Sequence, residues 1–360
     1  MVNTYKTQET IVVAMSGGVD SSTVAAMLHA EGYKVIGVTL QLYDHGSSIM
    51  KKGACCAGQD IYDASQVAAK LSIPHYVLDY ESKFKESVIS DFVDSYVRGE
   101  TPLPCVRCNQ SVKFQDLLKV AKDLGASALA TGHYVRKING KTGAELHTGL
   151  DLQKDQSYFL FSTTKEQLEY LRFPLGELTK EQTRTMATKF GLFLADKPDS
   201  QDICFVPDGN YRNIVNKLRP EANQPGIIMH IDGFELGQHQ GIINYTIGQR
   251  RGLGIAFSSP LYVIKIDPLT RIVYVGPESA LAASEFIIKD INWLADDIAE
   301  TKYVKVKIRS TRPGEFAYIN KIEDNQMRIT LLAPEKAVAP GQACVIYDDS
   351  RVLGGGWIVK

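Results

Sequence analysis

Two groups of residues in this chain have the types and spacings that do chemistry. The first is Ser16-Gly17-Gly18-Val19-Asp20-Ser21-Ser22, between the apolar run Ile11-Val12-Val13-Ala14-Met15 and a helical pattern. The run is short, β-branched and continuous, which reads as a buried parallel strand. After the glycines Val24, Met27 and Leu28 recur at helical spacing, and Gly32 stands where a C-terminal cap would end the helix. A strand-to-helix turn built of glycines and serines aims backbone N–H groups and the helix dipole at one point. That geometry binds phosphate. No Gly-Lys-Ser/Thr follows at Walker spacing. The plain alternative is a glycine turn with a serine helix cap.

The second group is thiols. Cys105-Val106-Arg107-Cys108-Asn109 follows Thr101-Pro102-Leu103-Pro104 and precedes an amphipathic segment through Phe114. The prolines predict an extended approach that sets Cys108 near a helix N-terminus, where the dipole and Arg107 lower a thiol pKa. An unperturbed cysteine, with a pKa of about 8.5, is only a few per cent thiolate at neutral pH, so such a setting matters for a nucleophile. A single Cys-x-x-Cys reads as a redox pair, half of a metal site, or coincidence. With no second pair, a four-thiolate zinc site is not supported. Cys204 lies in Asp199-Ser200-Gln201-Asp202-Ile203-Cys204-Phe205, a loop after Lys197-Pro198, with a buried structural thiol as its plain alternative. Cys55-Cys56 sits in a loop from Gly53 to Gln59; adjacent thiols are strained as a disulfide, and the pair has no assigned role. Cys344 reads as a buried strand residue.

The elements that must hold these groups alternate through the first half. Val35–Leu40, Tyr76–Leu78 and Ala128–Thr131 follow the first strand, separated by amphipathic helices on Ala64/Val67/Leu71, Phe84/Val88/Phe92 and Phe114/Leu117/Ala121. Such alternation predicts right-handed crossovers and an α/β, doubly wound parallel sheet. Ligands of these sheets sit beyond the carboxyl ends of the strands, where Gly17, Leu40 and Gly132-His133 fall. Asn139-Gly140 predicts a hairpin within Val135 to Tyr158, and helices follow near Lys165–Leu171 and Lys180–Phe190. From about Gly209 short strands replace helices. Leu261–Ile266 and Ile272–Val275 flank Asp267-Pro268 as a hairpin, and Tyr303–Ile308 and Met327–Leu332 belong to a C-terminal β-barrel. The expected domains are 1–208, a small β-rich 209–278, and 279–360.

A chain of 360 residues exceeds one small core. The formal net charge of -1 gives no global field toward nucleic acid, so such a partner needs local basic patches. No apolar stretch approaches a membrane span, and the polar Tyr5–Glu9 lacks a signal-peptide pattern, so a cytoplasmic or organellar location is expected. Six cysteines in this length are no disulfide scaffold.

The Ser16–Ser22 loop resembles the pyrophosphate loop of enzymes that split ATP into AMP and pyrophosphate. Taken with Thr101–Asn109, Thr131-Gly132-His133-Tyr134, Lys154–Tyr158, Ser200–Phe205, Tyr245–Arg250 and Pro340-Gly341-Gln342, it resembles the tRNA-specific 2-thiouridylase family over almost the whole chain. The resemblance implies an adenine nucleotide α-hydrolase-like sheet and ATP-dependent replacement of the wobble uridine C2 oxygen by sulfur. It implies ATP at Ala14, Met15, Ser16, Gly17, Gly18, Val19, Asp20, Ser21, Leu40 and Gly132, with Asp20 either holding Mg2+ or capping the helix. Leu40 replaces a methionine of relatives, a tolerable apolar swap. Cys204 matches the persulfide-bearing cysteine and Cys108 its catalytic partner, the two closing a disulfide after turnover. Leu103, Pro104, Cys105, His133, Lys154, Asp155, Gln156, Arg309, Ser310 and Gln342 match tRNA-contacting positions. Lys305, Lys307 and Arg309 alternate, so one strand face would present all three to phosphate. The implied partners are a tRNA of the Lys, Glu or Gln type, whose wobble base is splayed from its loop, and a persulfide donor protein. Many relatives carry Asp where this chain has Cys105. That departure sharpens an alternative in which Cys105, Cys108 and Cys204 hold a [4Fe–4S] cluster. Rival readings are a lysidine, asparagine or GMP synthetase, whose nitrogen chemistry needs no cysteine pair, and a non-catalytic tRNA-binding or iron–sulfur scaffold. Pyrophosphate release on adding unmodified tRNA separates enzyme from scaffold.

Overall fold

The computed structural model describes residues 9–43, 57–199, 203–206, 209–296, 301–323 and 325–359. Cys55-Cys56, the polar N-terminal stretch and Ser200–Asp202 lie outside them. The backbone divides into two units. One takes the chain up to Val88, Cys105–Pro207 and Ser350–Val352; the other takes Ile89–Pro104, Asp208–Asp349 and Leu353–Lys360.

In the first unit β1 (Thr10–Ala14), β2 (Lys34–Gln41), β3 (His75–Asp79), β4 (Ala128–Ala130) and the short strand Leu171–Arg172 make a wholly parallel sheet. Its order is β3-β2-β1-β4 followed by Leu171–Arg172. Strand order therefore reverses between β1 and β4, and the crevice at that switch point is where such sheets bind ligands. Ile11 and Val13 of β1 and the following Met15 share one core with Val24, Ala25 and Leu28 of α1 (Val19–Ala30) and Ala64, Val67 and Ala68 of α2 (Ala57–Leu71). Gly32 takes a left-handed φ of 93°, as the cap pattern predicts. Val135–Asn139 pairs antiparallel with Ala144–Thr148, the hairpin expected around Asn139-Gly140. Helices Lys165–Tyr170 and Lys180–Lys189 each start on a capping box, Thr164 with Gln167 and Thr179 with Gln182.

One expectation fails here. Pro104 opens a helical run that continues unbroken through a wide-turned π segment, Cys108–Asp116, to Asp123. Proline is favoured in the first helical turn because the amide it lacks has no partner there. Cys108 therefore lies a full turn inside, beyond the reach of terminal dipole effects.

The second unit contains a four-stranded sheet in the order Tyr262–Asp267, Ile272–Gly276, Gly226–His230, Glu235–His239. The first two form the predicted hairpin. Six strands, Ala282–Trp293, Thr301–Lys307, Glu315–Glu323, Gln326–Lys336, Ala343–Asp348 and Arg351–Ile358, form the expected C-terminal barrel. Pairing of Ile288 with Ile358 and Trp293 with Gly354 closes it. Cys344 is fully buried among Val306, Ile319, Ile329 and Ile346, in agreement with its reading as a core thiol. The strand with Lys305 and Lys307 ends at Lys307, with Val304 and Val306 buried on the opposite face. Arg309 lies past that end and donates to the Ala337 carbonyl at 2.9 Å, so it does not continue the outward stripe. In this unit Thr101 donates its amide to the Pro340 carbonyl at 2.8 Å and accepts the Gln342 side-chain amide at 2.9 Å. Gln342 thus holds the backbone just ahead of Leu103 and Pro104.

Candidate active site

The turn after β1 is built by backbone that only glycine allows. Gly17 has a φ of 74°, and a Cβ there would stand 2.2 Å from the Asp60 carbonyl oxygen. Gly18 is the N-cap of α1 in extended conformation, and no side chain caps the helix. The expected serine caps are instead tied to each other. Ser16 donates its amide to Ser21 Oγ at 3.1 Å, the two hydroxyls are 3.3 Å apart, and Ser21 Oγ donates to the Gly18 carbonyl. The opening amides of α1 are thus left for a ligand, and the dipole favours an anion there. Across the switch point a Cβ on Gly132 would lie 2.9 Å from the Ser21 nitrogen. Ala14 and Leu40, at the carboxyl ends of β1 and β2, are half-buried, and Met15 is buried. A cradle that a methyl group would fill, beside uncapped helix amides, fits a nucleotide phosphate.

Asp20 is neither cap nor open metal ligand. Its carboxylate accepts Lys180 Nζ on both oxygens, at 2.7 and 2.8 Å, and the Tyr134 hydroxyl at 2.8 Å. A lysine already neutralises the charge a magnesium ion would need. Two lysines, Lys180 on Asp20 and Lys197 on Gly17, hold the loop, and sequence reading assigned neither a role. Lys197 Nζ donates to the Gly17 carbonyl at 2.9 Å, Asp60 at 2.8 Å and Asp63 at 2.6 Å. Burial opposes its charge, but these bonds hold its pKa above the usual lysine value. Lys180 also bonds Asp199 at 2.8 Å, which accepts Lys154 and Arg184 as well. Burial would raise the Asp199 carboxyl; hydrogen bonds from Lys154 and Lys180 overcome it and hold it down at about 2. Asp199 thereby pins the start of the Cys204 segment to the loop's cation shell.

The three thiols gather. Burial pushes Cys204 up to about 12, reinforced by Cys108 and Cys105 and opposed by Lys113. Burial likewise raises Cys108 and Cys105, and Lys113 pulls both down. The sulfurs and Lys113 thus share one electrostatic neighbourhood. The expected lowering of Cys108 by Arg107 is corrected: the thiol is buried, and Arg107 instead donates to Gln110. Cys105 and Cys204 are exposed residues and Cys108 is not. Among the described residues no group of three or more His, Cys, Asp or Glu is arranged to hold a metal ion. An iron–sulfur cluster on Cys105, Cys108 and Cys204 is therefore not supported.

The positions expected to meet tRNA are spread over both units. Within the first, Asp155 accepts the Gly149 and Ser157 amides and the Ser157 hydroxyl, and Gln156 accepts the Tyr134 amide. Both shape the loop that presents Lys154. His133 bonds Thr131 Oγ1 at 2.9 Å and meets the edge of Phe114. Burial, aided by Lys113, lowers its pKa to about 3. The folded ring stays neutral where the unfolded ring takes a proton, below about 6.5. Stability from this group is therefore complete above that pH and is lost as pH falls toward 3. Urea unfolding at pH 7 and pH 5 should show a drop that His133→Gln reduces by about 1–2 kcal/mol. Equal drops in both proteins would show the ring titrates normally.

This strand order, with a Ser-Gly-Gly turn where a Walker loop would stand, is the frame of the pyrophosphate-loop class of α/β nucleotide-binding proteins. Residues 9–208 match the family model described as tRNA methyl transferase HUP domain. Residues 212–277 match a tRNA methyl transferase PRC-barrel domain, and 283–358 an aminomethyltransferase beta-barrel domain. The chain is 71% identical over 362 residues to the tRNA-specific 2-thiouridylase MnmA of Rickettsia felis and equally to that of Rickettsia africae. Each alignment covers 100% of this chain and 99% of the relative. The chain belongs to the MnmA family of tRNA-specific 2-thiouridylases.

Lys113, Lys180 and Lys197 escaped the sequence reading because a lysine acquires its role only from what folding brings to it. Lys197 alone carried a signal, its place two residues before Asp199 and the cysteine segment.

Proposed function

We propose that the chain is a tRNA-uridine 2-sulfurtransferase acting on the wobble uridine of tRNAs of the Lys, Glu and Gln type. The observation that carries the reading is the joining of two devices in one unit: an uncapped helix start beside Gly17-Gly18, and three thiols around Lys113. The first suits magnesium-bound ATP; the second suits sulfur transfer. The α1 amides and Lys197 side of the loop hold the phosphates, with Gly132 and Leu40 beside the nucleoside. The uridine C2 oxygen attacks the α-phosphate and pyrophosphate leaves, which converts a poor leaving oxygen into AMP.

A donor protein leaves a sulfur on Cys204 as a persulfide. Its terminal sulfur attacks C2, and Cys108 then attacks the Cys204 sulfur, so the S–S bond breaks as the Cys108–Cys204 disulfide forms. The base keeps the sulfur and AMP departs with the former C2 oxygen. In the alternative order Cys108 first expels hydrosulfide, which attacks C2. Both orders consume one persulfide and require a thiol reductant to reopen the disulfide. Leu103, Pro104 and Cys105 lie at the target base; His133, Lys154, Arg309, Ser310 and Gln342 serve the tRNA directly or through the backbone they hold. The domain limits 1–208, 209–278 and 279–360 and a cytoplasmic location complete the proposal. Among the described residues no helix is long and apolar enough to cross a membrane.

Unmodified tRNA transcript, ATP, magnesium and a persulfide donor should yield thiouridine, AMP and pyrophosphate in equal amounts. Pyrophosphate without thiouridine would leave an adenylylating enzyme of another kind. Neither product would end the enzymatic reading.

A further inference from the structure

We infer that the Tyr245–Ser259 loop of the second unit is a phosphate grip for the RNA backbone, with Arg250 and Arg251 as its cations. The inference rests on the proposed tRNA substrate. It starts from arginine partners. Every other arginine of the chain donates its guanidinium to a carboxylate, carbonyl or amide oxygen among the described residues. Arg250 and Arg251 are adjacent, both exposed, and neither guanidinium has a partner among the described residues. Two neighbouring like charges left unpaired repel each other, and an anion between them removes that cost.

The loop is braced to present them. Gly248 donates its amide to the Val263 carbonyl at 2.8 Å, and Val263 returns its amide to the Gln249 carbonyl at 3.0 Å. The Gln249 side chain clasps both flanks: Oε1 accepts the Thr246 amide at 3.0 Å, and Nε2 donates to the Arg251 carbonyl at 2.9 Å. Gly248, Gly252 and Gly254 take φ values of 86°, 75° and 71°, which fix the sharp path; Gly252 and Gly254 leave backbone open to a close ligand, while Gly248 packs against Ala337. Arg250 lines an open cavity of about 420 Å³ with Gly252, Gly254, Phe257, Ser258 and Ser259. The Arg250 fork, backbone without side chains and two hydroxyls form a phosphodiester site with an aromatic wall, and Arg251 adds a second exposed cation next to it in the chain. The chain's near-zero net charge makes such a local patch necessary for binding a polyanion.

The test uses the full chain and an unmodified tRNA transcript, with affinity measured by fluorescence anisotropy from about 50 to about 200 mM KCl. Each of Arg250→Gln and Arg251→Gln should weaken binding about tenfold at low salt and reduce the slope of log affinity against log salt by about 1. Replacing both by lysine should recover most of the slope, because charge is kept while the fork is lost. Circular dichroism melts should match wild type, since both side chains are exposed. Wild-type binding that persists undiminished in the double glutamine variant overturns the grip alone. A double variant that loses ATP affinity and keeps tRNA affinity also overturns it, assigning the pair to nucleotide phosphate. Wild type that binds no tRNA removes the grip together with the thiolation reading.

Discussion

Cys204→Ser and Cys108→Ser should each lower thiouridine formation by about a thousandfold or more, while pyrophosphate release driven by tRNA and ATP survives. The separation follows from the site's two halves. Adenylylation needs the loop amides and the cations beside them, where Ser16, Gly18 and Ser21 bond one another and Lys197 holds the Gly17 carbonyl. In the proposed route sulfur delivery needs both cysteines, because one sulfur carries the cargo and the other releases it. Loss of either should stop the same step, so the double variant should be no worse than the singles. The resting thiol adds a second readout. Burial and the neighbouring thiols hold the Cys204 thiol well above the usual cysteine value, so at neutral pH it is overwhelmingly protonated. Its alkylation by iodoacetamide, followed by mass spectrometry, should rise about tenfold per pH unit from pH 7 upward. In the proposed route a thiol so disarmed resists stray oxidation and acts once the more acidic persulfide has been loaded. In Cys108→Ser, which removes a neighbour that raises Cys204, the alkylation curve should move to lower pH. A plateau near neutral pH in wild type would show that Cys204 is already ionised, and the protected-thiol argument would fall.

What the sequence showed and what it hid divide along a physical line. The loop was legible because β1, Gly17-Gly18 and α1 are contiguous, and each obeys a local rule of burial, glycine freedom or helical period. The hairpin at Asn139-Gly140 and the buried Cys344 were legible for the same reason. Cys108 was misplaced although its neighbourhood is local. The Thr101–Pro104 prolines suggest an extended approach, but Pro104 is itself the first helical residue. Four residues of shift moved the thiol from a dipole-activated end to a buried wall. Helix position suggests a cap for Asp20, but no side chain caps α1, and the Asp20 carboxylate instead meets Lys180 from a helix far along the chain. Arg309 fits an alternating stripe on paper, yet the strand stops at Lys307. Pairings over such separations leave no periodic trace.

The clearest test of such a hidden contact is Lys197→Met, which should destabilise the fold by about 2–3 kcal/mol and abolish measurable ATP binding. Lys197 answers two carboxylates at once, Asp60 and Asp63, and the Asp63 side chain is only 8% exposed. Removing the cation leaves two negative charges side by side, one of them cut off from water. Full burial would cost about 3–5 kcal/mol; the partial exposure of Lys197 and Asp60, 23% and 24%, brings the expectation down. The same charges would face the phosphates of an incoming nucleotide across Gly17, whose carbonyl Lys197 holds. Adding Asp60→Asn and Asp63→Asn to Lys197→Met separates the two effects. Stability, read from urea melts, should largely return, because the unpaired charges are gone while the side-chain volumes are kept. ATP affinity, read by calorimetry, should not return, because the cation beside the loop is still missing. If the triple variant stays as unstable as Lys197→Met, the lysine acts through packing of its alkyl stem rather than as counter-charge. If instead ATP affinity returns with stability, Lys197 only holds the loop's shape, and the phosphates rest on the α1 amides alone.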